Sequence, residues 1–143
     1  MDNSNNLLTF VIQEKNRLSG RLPSEIAMLS SLHSISLFNN SLVGQLPKTI
    51  GRLSHLRELD LEQNNLQGTL FSDELLELTG TLESLRVSGN YFTGTIPNEV
   101  GNFVKLRELW LASTNLTGTI PPETGSLKEL GMNVPIIIIY SII

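Results

Sequence analysis

Residues 56–68 read Leu-Arg-Glu-Leu-Asp-Leu-Glu-Gln-Asn-Asn-Leu-Gln-Gly, and this stretch contains the pattern that decides the fold. Leucine stands at its first, fourth, sixth and eleventh places, asparagine at its ninth and glycine at its thirteenth. The template fits the chain five times, and successive ninth places lie 24, 24, 26 and 24 residues apart. Registered copies at one period predict a repeat protein in which each unit stacks on its neighbours. The five ninth places are Asn16, Asn40, Asn64, Asn90 and Thr114.

A second half-motif, an aliphatic residue followed directly by proline, occurs at Leu22-Pro23, Leu46-Pro47, Ile96-Pro97 and Ile120-Pro121. Together the two half-motifs resemble the plant-type leucine-rich repeat family, from about Leu8 to Leu130. The resemblance implies an α/β repeat fold, a right-handed solenoid with a concave parallel β-sheet and mostly 3₁₀ or extended turns on its convex side. We expect five repeats, at residues 8–31, 32–55, 56–81, 82–105 and 106–129.

The centre of each template predicts a short strand. Because successive side chains of a strand point to opposite faces, Leu59 and Leu61 should point inward and Asp60 outward. Stacking of the repeats then predicts one parallel sheet that passes through the fourth places of repeats two to five. The first repeat is the least regular copy, with Val11 at its fourth place and Gln13 at its sixth. The fourth places of repeats two to five are Ile35, Leu59, Leu85 and Leu109.

The ninth-place asparagines are predicted to be structural. A buried amide must form hydrogen bonds, or it costs on the order of 1–3 kcal/mol. The family resemblance implies that these residues form a ladder that bonds the backbone of adjacent turns. The ladder comprises Asn16, Asn40, Asn64 and Asn90, and the fifth repeat carries Thr114 instead.

Repeat three departs from the template, because Leu70 is followed by Phe71 instead of proline and two residues are inserted. Ser72 is a good capping residue, and the acidic residues after it favour the start of a helix. The sequence therefore predicts one short helix near Ser72–Leu78 on the outer side.

Composition argues against several functional classes. The net charge is −4 and the basic residues form no run, which argues against nucleic acid as a partner. The absence of cysteine excludes disulfides and thiolate ligands. No phosphate-binding, metalloprotease or nucleophile-elbow motif occurs, so we expect no cofactor and no metal. His33 and His55 are isolated, and a surface role suits each better than metal binding.

The two ends of the chain fall outside the template. Residues 1–7 are mostly polar and expected to be flexible, and no signal peptide is predicted to begin there. Residues 131–143 form an apolar tail without the repeat, which we interpret as an edge strand or an aggregation-prone segment. Its longest apolar run, Val134–Ile143, is shorter than the roughly 20 residues that a membrane-spanning helix needs. The family resemblance implies an extracellular or cell-surface location.

The outward positions of the predicted sheet contain the candidate binding residues. Exposed aromatic and arginine side chains are typical of protein-binding hot spots, and the repeat itself does not require them. An ordinary alternative is scattered surface residues, with Asp60 and Arg86 joined in a cross-strand ion pair. The candidates for partner binding are His33, Phe38, Arg57, Glu58, Asp60, Glu62, Arg86 and Trp110, and Asn39 and Asn115 are possible glycosylation sites.

These patterns favour a non-catalytic module that binds a protein or peptide on a concave sheet, as in cell-surface receptors of the family. Two alternatives stay open. The chain could be a truncated gene product without an independent function. It could also be an enzyme that uses Glu58, Asp60 and Glu62 as acid and base groups, although that chemistry needs a pocket.

Overall fold

The computed structural model describes residues 8–11 and 17–127. The predictions made for residues 1–7, for Asn16 and for the tail at residues 131–143 lie outside this range. Within it the chain forms ten strands. In chain order they are β1 (Leu8–Val11), β2 (Ser19–Gly20), β3 (Leu32–Ser36), β4 (Ser41–Gly44), β5 (Glu58–Asp60), β6 (Asn65–Thr69), β7 (Ser84–Arg86), β8 (Tyr91–Thr95), β9 (Glu108–Trp110) and β10 (Asn115–Thr117).

The first sheet is the predicted one. Its strands are all parallel, in the order β1-β3-β5-β7-β9. Ile35 lies opposite Leu59, Leu59 opposite Leu85, and Leu85 opposite Leu109, which confirms the register that the template assigned. All four side chains are buried, because the inward places of each turn stack on those of the next.

The first repeat corrects the template. Leu8 lies opposite Leu32, but a register shift follows, so that Phe10 and not Val11 lies opposite Ile35. Between these two positions β3 has one residue more than β1. A template of fixed spacing cannot anticipate such a shift.

A second parallel sheet, in the order β10-β8-β6-β4-β2, was not predicted. Its strands follow the ninth place of each repeat and end near the thirteenth-place glycine. Gly68 has φ +89° and Gly94 has φ +100°, a backbone conformation that glycine adopts without a steric penalty. The chain can therefore turn sharply after each short strand, and the strands of successive turns pair with one another.

The hydrophobic core lies between the strands and the outer turns and runs continuously along the stack. In repeat two, for example, Leu37, Ile50 and Leu53 are buried together with Ile35. Each such aliphatic side chain contributes roughly 1.5–3 kcal/mol through removal from water. The buried polar residues of the described chain are Asn40, Asn64, Ser88 and Asn90.

The outer side consists of short helical turns. Four are 3₁₀ turns, and three of these begin directly after a proline, which fixes φ and removes a backbone donor. The predicted helix in repeat three is confirmed, as the single helical turn α1 (Asp73–Leu76) with Ser72 at its N-cap position. In the part of the chain that the structure describes, no helix has the length and hydrophobicity to cross a membrane. The 3₁₀ turns are Ser24–Met28, Ile50–Arg52, Asn98–Asn102 and Pro122–Ser126.

Candidate ligand-binding face

The solvent side of the first sheet, which we call the strand face, is formed by the third, fifth and seventh places of the repeats. The fifth places form one row across four strands, because Ser36 lies opposite Asp60, Asp60 opposite Arg86, and Arg86 opposite Trp110. Neighbouring positions in such a row are about 4.8 Å apart. A polar, an acidic, a basic and an aromatic residue therefore follow one another across the sheet.

Arg86 and Trp110 are joined by side-chain contacts on this face. The Arg86 Nε donates a hydrogen bond to Glu108 Oε2 at 2.9 Å, and a second guanidinium nitrogen lies 2.7 Å from the same oxygen. The guanidinium carbon lies 5.2 Å from the centroid of the Trp110 ring, in a cation–π contact. Ser84 also donates to Glu108 Oε2, at 2.8 Å.

This arrangement differs from the ion pair between Arg86 and Asp60 that the sequence offered as the ordinary alternative. The guanidinium extends towards the neighbouring strand β9, where Glu108 accepts two contacts from it and the indole of Trp110 lies beneath it. Two charge-assisted contacts plus stacking outweigh a single contact with Asp60. Trp110 is half-buried as a result, and its Nε1 atom is buried without a hydrogen-bond partner within residues 8–11 and 17–127.

The three carboxylates of strand β5 and its extension differ in environment. Glu58 is exposed and accepts a hydrogen bond from the Ser34 hydroxyl at 3.0 Å. Asp60 and Glu62 are half-buried, and the Glu62 backbone N–H donates to Asp60 Oδ1 at 3.1 Å. Burial raises the pKa of Asp60 above its ordinary value, against the opposing effects of that hydrogen bond and of Arg86. Burial also raises the pKa of Glu62 above its ordinary value, and the neighbouring charge of Asp60 adds to the shift.

The remaining predicted binding residues lie at the margins of this face. His33 is half-buried, and its Nδ1 is 2.8 Å from the carbonyl oxygen of Ser31. Phe38 is half-buried at the seventh place of repeat two. Arg57 is exposed, with a guanidinium nitrogen 3.8 Å from a carboxylate oxygen of Glu83. Among the described residues, no cluster of three or more histidine or acidic side chains could hold a metal ion.

Both possible glycosylation sites are on the surface. Asn39 is exposed, with φ +54°, in the bend that follows strand β3. Asn115 is exposed at the start of strand β10, at the edge of the second sheet. Their modification stays a prediction.

The ninth-place asparagines bond neighbouring turns. Asn64 is 5% exposed, and its Oδ1 accepts the Leu42 N–H of the preceding turn at 3.1 Å. Its Nδ2 donates to the carbonyl oxygens of Leu37, also in the preceding turn, and of Leu61 in its own turn. Asn90 repeats these contacts one turn further on. Thr114, in contrast, donates to Leu111 in its own turn, at 2.8 Å.

An open groove of about 520 Å³ runs along the strand face. Its floor combines serine hydroxyls, carboxylates and the Arg86–Glu108 pair. The sequence reasoning missed Glu108 and Glu83, which hold the arginines of this face. A comparison of the third places, where Ser34, Glu58, Ser84 and Glu108 alternate, could have singled out Glu108.

Stacked parallel strands, a turn-to-turn asparagine ladder and 3₁₀ outer turns define a leucine-rich repeat solenoid. The model of the Leucine Rich Repeat family matches residues 31–53, 55–78, 81–103 and 105–127. These segments make up more than half of the chain, which therefore belongs to the leucine-rich repeat family. No curated protein matches the sequence.

Solved structures of plant proteins are similar to this chain. The ectodomain of the Arabidopsis thaliana receptor kinase GASSHO1/SCHENGEN3, in complex with CASPARIAN STRIP INTEGRITY FACTOR 2, is 35% identical with a TM-score of 0.76, covering 87% of this chain and 14% of that one. The ectodomain of the Arabidopsis receptor kinase HAESA, in complex with a peptide hormone ligand, is 31% identical with a TM-score of 0.78, covering 85% of this chain and 20% of that one. A plant ice-binding protein is 32% identical with a TM-score of 0.75, and the match covers 82% of this chain and 37% of that one. The chain thus spans a minor part of the length of each of these proteins.

Proposed function

We propose that this chain is a non-catalytic recognition module that binds a protein or peptide on the strand face. The observation that carries the proposal is the row Asp60–Arg86–Trp110, because the repeat requires none of these outward side chains. An aromatic ring, a cation and an anion side by side supply both contact area and orienting charge, as central hot spots do. The GASSHO1/SCHENGEN3 ectodomain was solved in complex with CASPARIAN STRIP INTEGRITY FACTOR 2, and the HAESA ectodomain in complex with a peptide hormone ligand.

The same geometry argues against the alternative that Asp60 and Glu62 are catalytic groups. Their raised pKa values are of the kind that acid–base catalysis uses. However, the groove above them is open, and catalysis by a carboxylate pair depends on a pocket that places a substrate between them. Recognition needs no such enclosure.

A binding selection tests the proposal. A display library of random peptides is panned against the immobilised chain, and an enriched peptide is titrated by calorimetry. We expect Trp110→Ala to weaken its affinity by at least about 2 kcal/mol and Arg86→Ala by at least about 1 kcal/mol. Lys48→Ala is the control, because Lys48 is exposed on the outer side after Pro47.

Thermal melts of each variant accompany the titrations. Arg86→Ala removes the contacts to Glu108, so its affinity is interpreted only if the variant remains folded at the assay temperature. A result in which Lys48→Ala weakens binding and Trp110→Ala does not would move the binding surface to the outer side. A selection that enriches no peptide at all contradicts the proposal.

The second sheet supports a second candidate function, the binding of ice. Its exposed side chains include four threonines, and none of the exposed side chains in strands β4, β6, β8 and β10 is charged. Thr69 lies opposite Thr93, and Thr95 opposite Thr117, so each pair places two threonines about 4.8 Å apart on neighbouring strands. Uncharged polar side chains at such a spacing can form hydrogen bonds with ordered water molecules. One of the similar structures is a plant ice-binding protein.

Inhibition of ice recrystallisation tests this second candidate. We expect the wild-type chain to keep ice crystals small and Thr93→Lys to abolish the effect, because a charged ammonium disrupts the array. Glu99→Lys, on an outer 3₁₀ turn, serves as the matched control for an added lysine. Unrestricted crystal growth in the presence of the wild-type chain contradicts the idea.

A further inference from the structure

The arginines that border the strand face already contact carboxylates. Arg86 is bonded to Glu108 at 2.7 Å. Glu83 lies between two further arginines, 3.8 Å from Arg57 and 3.9 Å from Arg107. Each of these three arginines therefore contacts one of two glutamates, and a ligand carboxylate or phosphate would have to compete with those contacts.

The acidic side chains of strand β5 are in a different situation. Within residues 8–11 and 17–127, no lysine, arginine or histidine forms an ion pair with Glu58, Asp60 or Glu62. The charge of Arg86 lowers the pKa of Asp60 and of Glu62, but its guanidinium is bonded to Glu108. The strand face thus has an excess of negative charge over its middle strand.

Asp60 and Glu62 are also placed where a cation would be most stabilising. Both are half-buried, and burial disfavours their charged forms, as their raised pKa values show. The two residues are two positions apart, so their side chains lie about 7 Å apart on the same side of the chain. A cationic group between them would form charge-assisted hydrogen bonds with both carboxylates and relieve the cost of their burial.

The surroundings fit a side chain that reaches in from an extended segment. The groove of about 520 Å³ crosses the strands and is lined by Asp60 and by the hydroxyl groups of Ser36 and Ser84. The Arg86–Trp110 stack forms a fixed flank one strand away. Hydroxyl groups can accept hydrogen bonds from an ammonium or guanidinium that the carboxylates leave unused.

We propose that the strand face takes an extended peptide with a lysine or arginine side chain that inserts between Asp60 and Glu62. This inference rests on the proposed recognition function and deepens it by naming the charge of the ligand. It follows from the charge complementarity of the face, in which the arginines contact glutamates while, among the described residues, the half-buried carboxylates of the middle strand form no ion pair. The peptide backbone lies along the groove, and its flanking residues contact the Arg86–Trp110 stack.

The experiment uses the peptide selection in two arms. Random peptides displayed on phage are panned against the full chain and against the double variant Asp60→Asn/Glu62→Gln, which keeps the shape and removes both charges. The control is Glu25→Gln/Glu99→Gln, which removes the same charge from two exposed residues on outer 3₁₀ turns. One peptide from the wild-type selection is then titrated against all three proteins.

We expect the wild-type chain and the control to enrich peptides that share a lysine or arginine, and the double variant to lose that preference. The affinity of the selected peptide should fall about tenfold or more for the double variant and stay nearly unchanged for the control. Replacing the basic residue of the peptide by alanine should lower its affinity for the wild-type chain by the same factor. The same replacement should leave its affinity for the double variant unchanged.

Two outcomes overturn the inference, and they differ in what else they affect. Enrichment of peptides without a basic residue, or with a preference that survives in the double variant, refutes the charge assignment but leaves the recognition function in place. Failure to enrich any peptide refutes both. Melts of the double variant should match or exceed those of the wild-type chain, so that lost binding cannot be ascribed to unfolding.

Discussion

Removal of the Asn64 amide tests how the turns are held together. The side chain forms four hydrogen bonds, one as acceptor from Leu42 and three as donor to the carbonyl oxygens of Leu37, Leu61 and Glu62. The substitution Asn64→Ala abolishes all four without changing the backbone pattern of the strands. Because two of these bonds reach the preceding turn, the loss acts on the interface between repeats two and three.

The loss of stability in Asn64→Ala depends on which backbone groups keep a hydrogen-bond partner. The Leu37 carbonyl keeps a hydrogen bond from Asn40 at 3.1 Å, and the Leu61 carbonyl keeps one from Asn90 at 2.8 Å. The Leu42 N–H, in a buried residue, loses its acceptor. One orphaned buried donor costs about 1–3 kcal/mol, and the carbonyls that retain a partner add little. We therefore expect Asn64→Ala to destabilise the chain by about 2 kcal/mol.

Urea denaturation followed by circular dichroism measures this loss. Asn65→Ala is the matched control, because the neighbouring side chain is exposed and its removal should change the free energy of unfolding by less than about 0.5 kcal/mol. Equal losses for the two variants would falsify the assignment of the ladder register. A loss below about 0.5 kcal/mol for Asn64→Ala would show that water replaces the amide at no cost.

Three further substitutions have definite expectations. Thr114→Asn should raise the unfolding free energy by about 1 kcal/mol in urea melts, because an amide can reach the preceding turn where the hydroxyl bonds only its own; a destabilised variant would contradict this. Burial raises the pKa of Asp60 in the folded state, so stability from this group is greatest below its unfolded pKa of about 4 and falls as pH rises through the folded value. Asp60→Asn should therefore gain in melting temperature over the wild-type chain between about pH 3 and about pH 7, and a pH-independent difference would argue against the burial effect. Gly51→Ala should cost about 1–3 kcal/mol, because its methyl group would lie 2.5 Å from the carbonyl oxygen of Glu74, whereas Gly80→Ala meets open space and should be neutral in the same melts.

The fold was largely predictable because its determinants repeat. Inward leucines at fixed places specify one register, and the structure has Leu59 opposite Leu85 as the template requires. The short helix after Ser72 was also predictable, from the acidic residues of its first turn and the missing proline, although the Ser72 side chain forms no capping hydrogen bond. The second sheet was not predictable from the sequence. Its strands of two to five residues show little hydrophobic alternation of their own, and they form only when a neighbouring turn supplies the pairing.

The candidate face was predictable in position and less so in contacts. The fifth places were correctly expected to form a row, since strand alternation and stacking determine where each Cβ points. The partner of Arg86 was not predictable, because an arginine side chain is long enough to reach carboxylates on either neighbouring strand. Burial and stacking on Trp110 decide between them, and neither is visible in the sequence.

The stack of parallel strands fixes the spacing between the side chains on its face. Asp60 and Trp110 are separated by one intervening strand, and that separation can change only in steps of about 4.8 Å, one for each repeat gained or lost. Loss of residues 82–105 would bring Trp110 directly beside Asp60, a change that pH-dependent quenching of the indole fluorescence would report. The spacing between two ligand contacts therefore changes only when a whole repeat is gained or lost. The chemical nature of each contact can change by a single substitution.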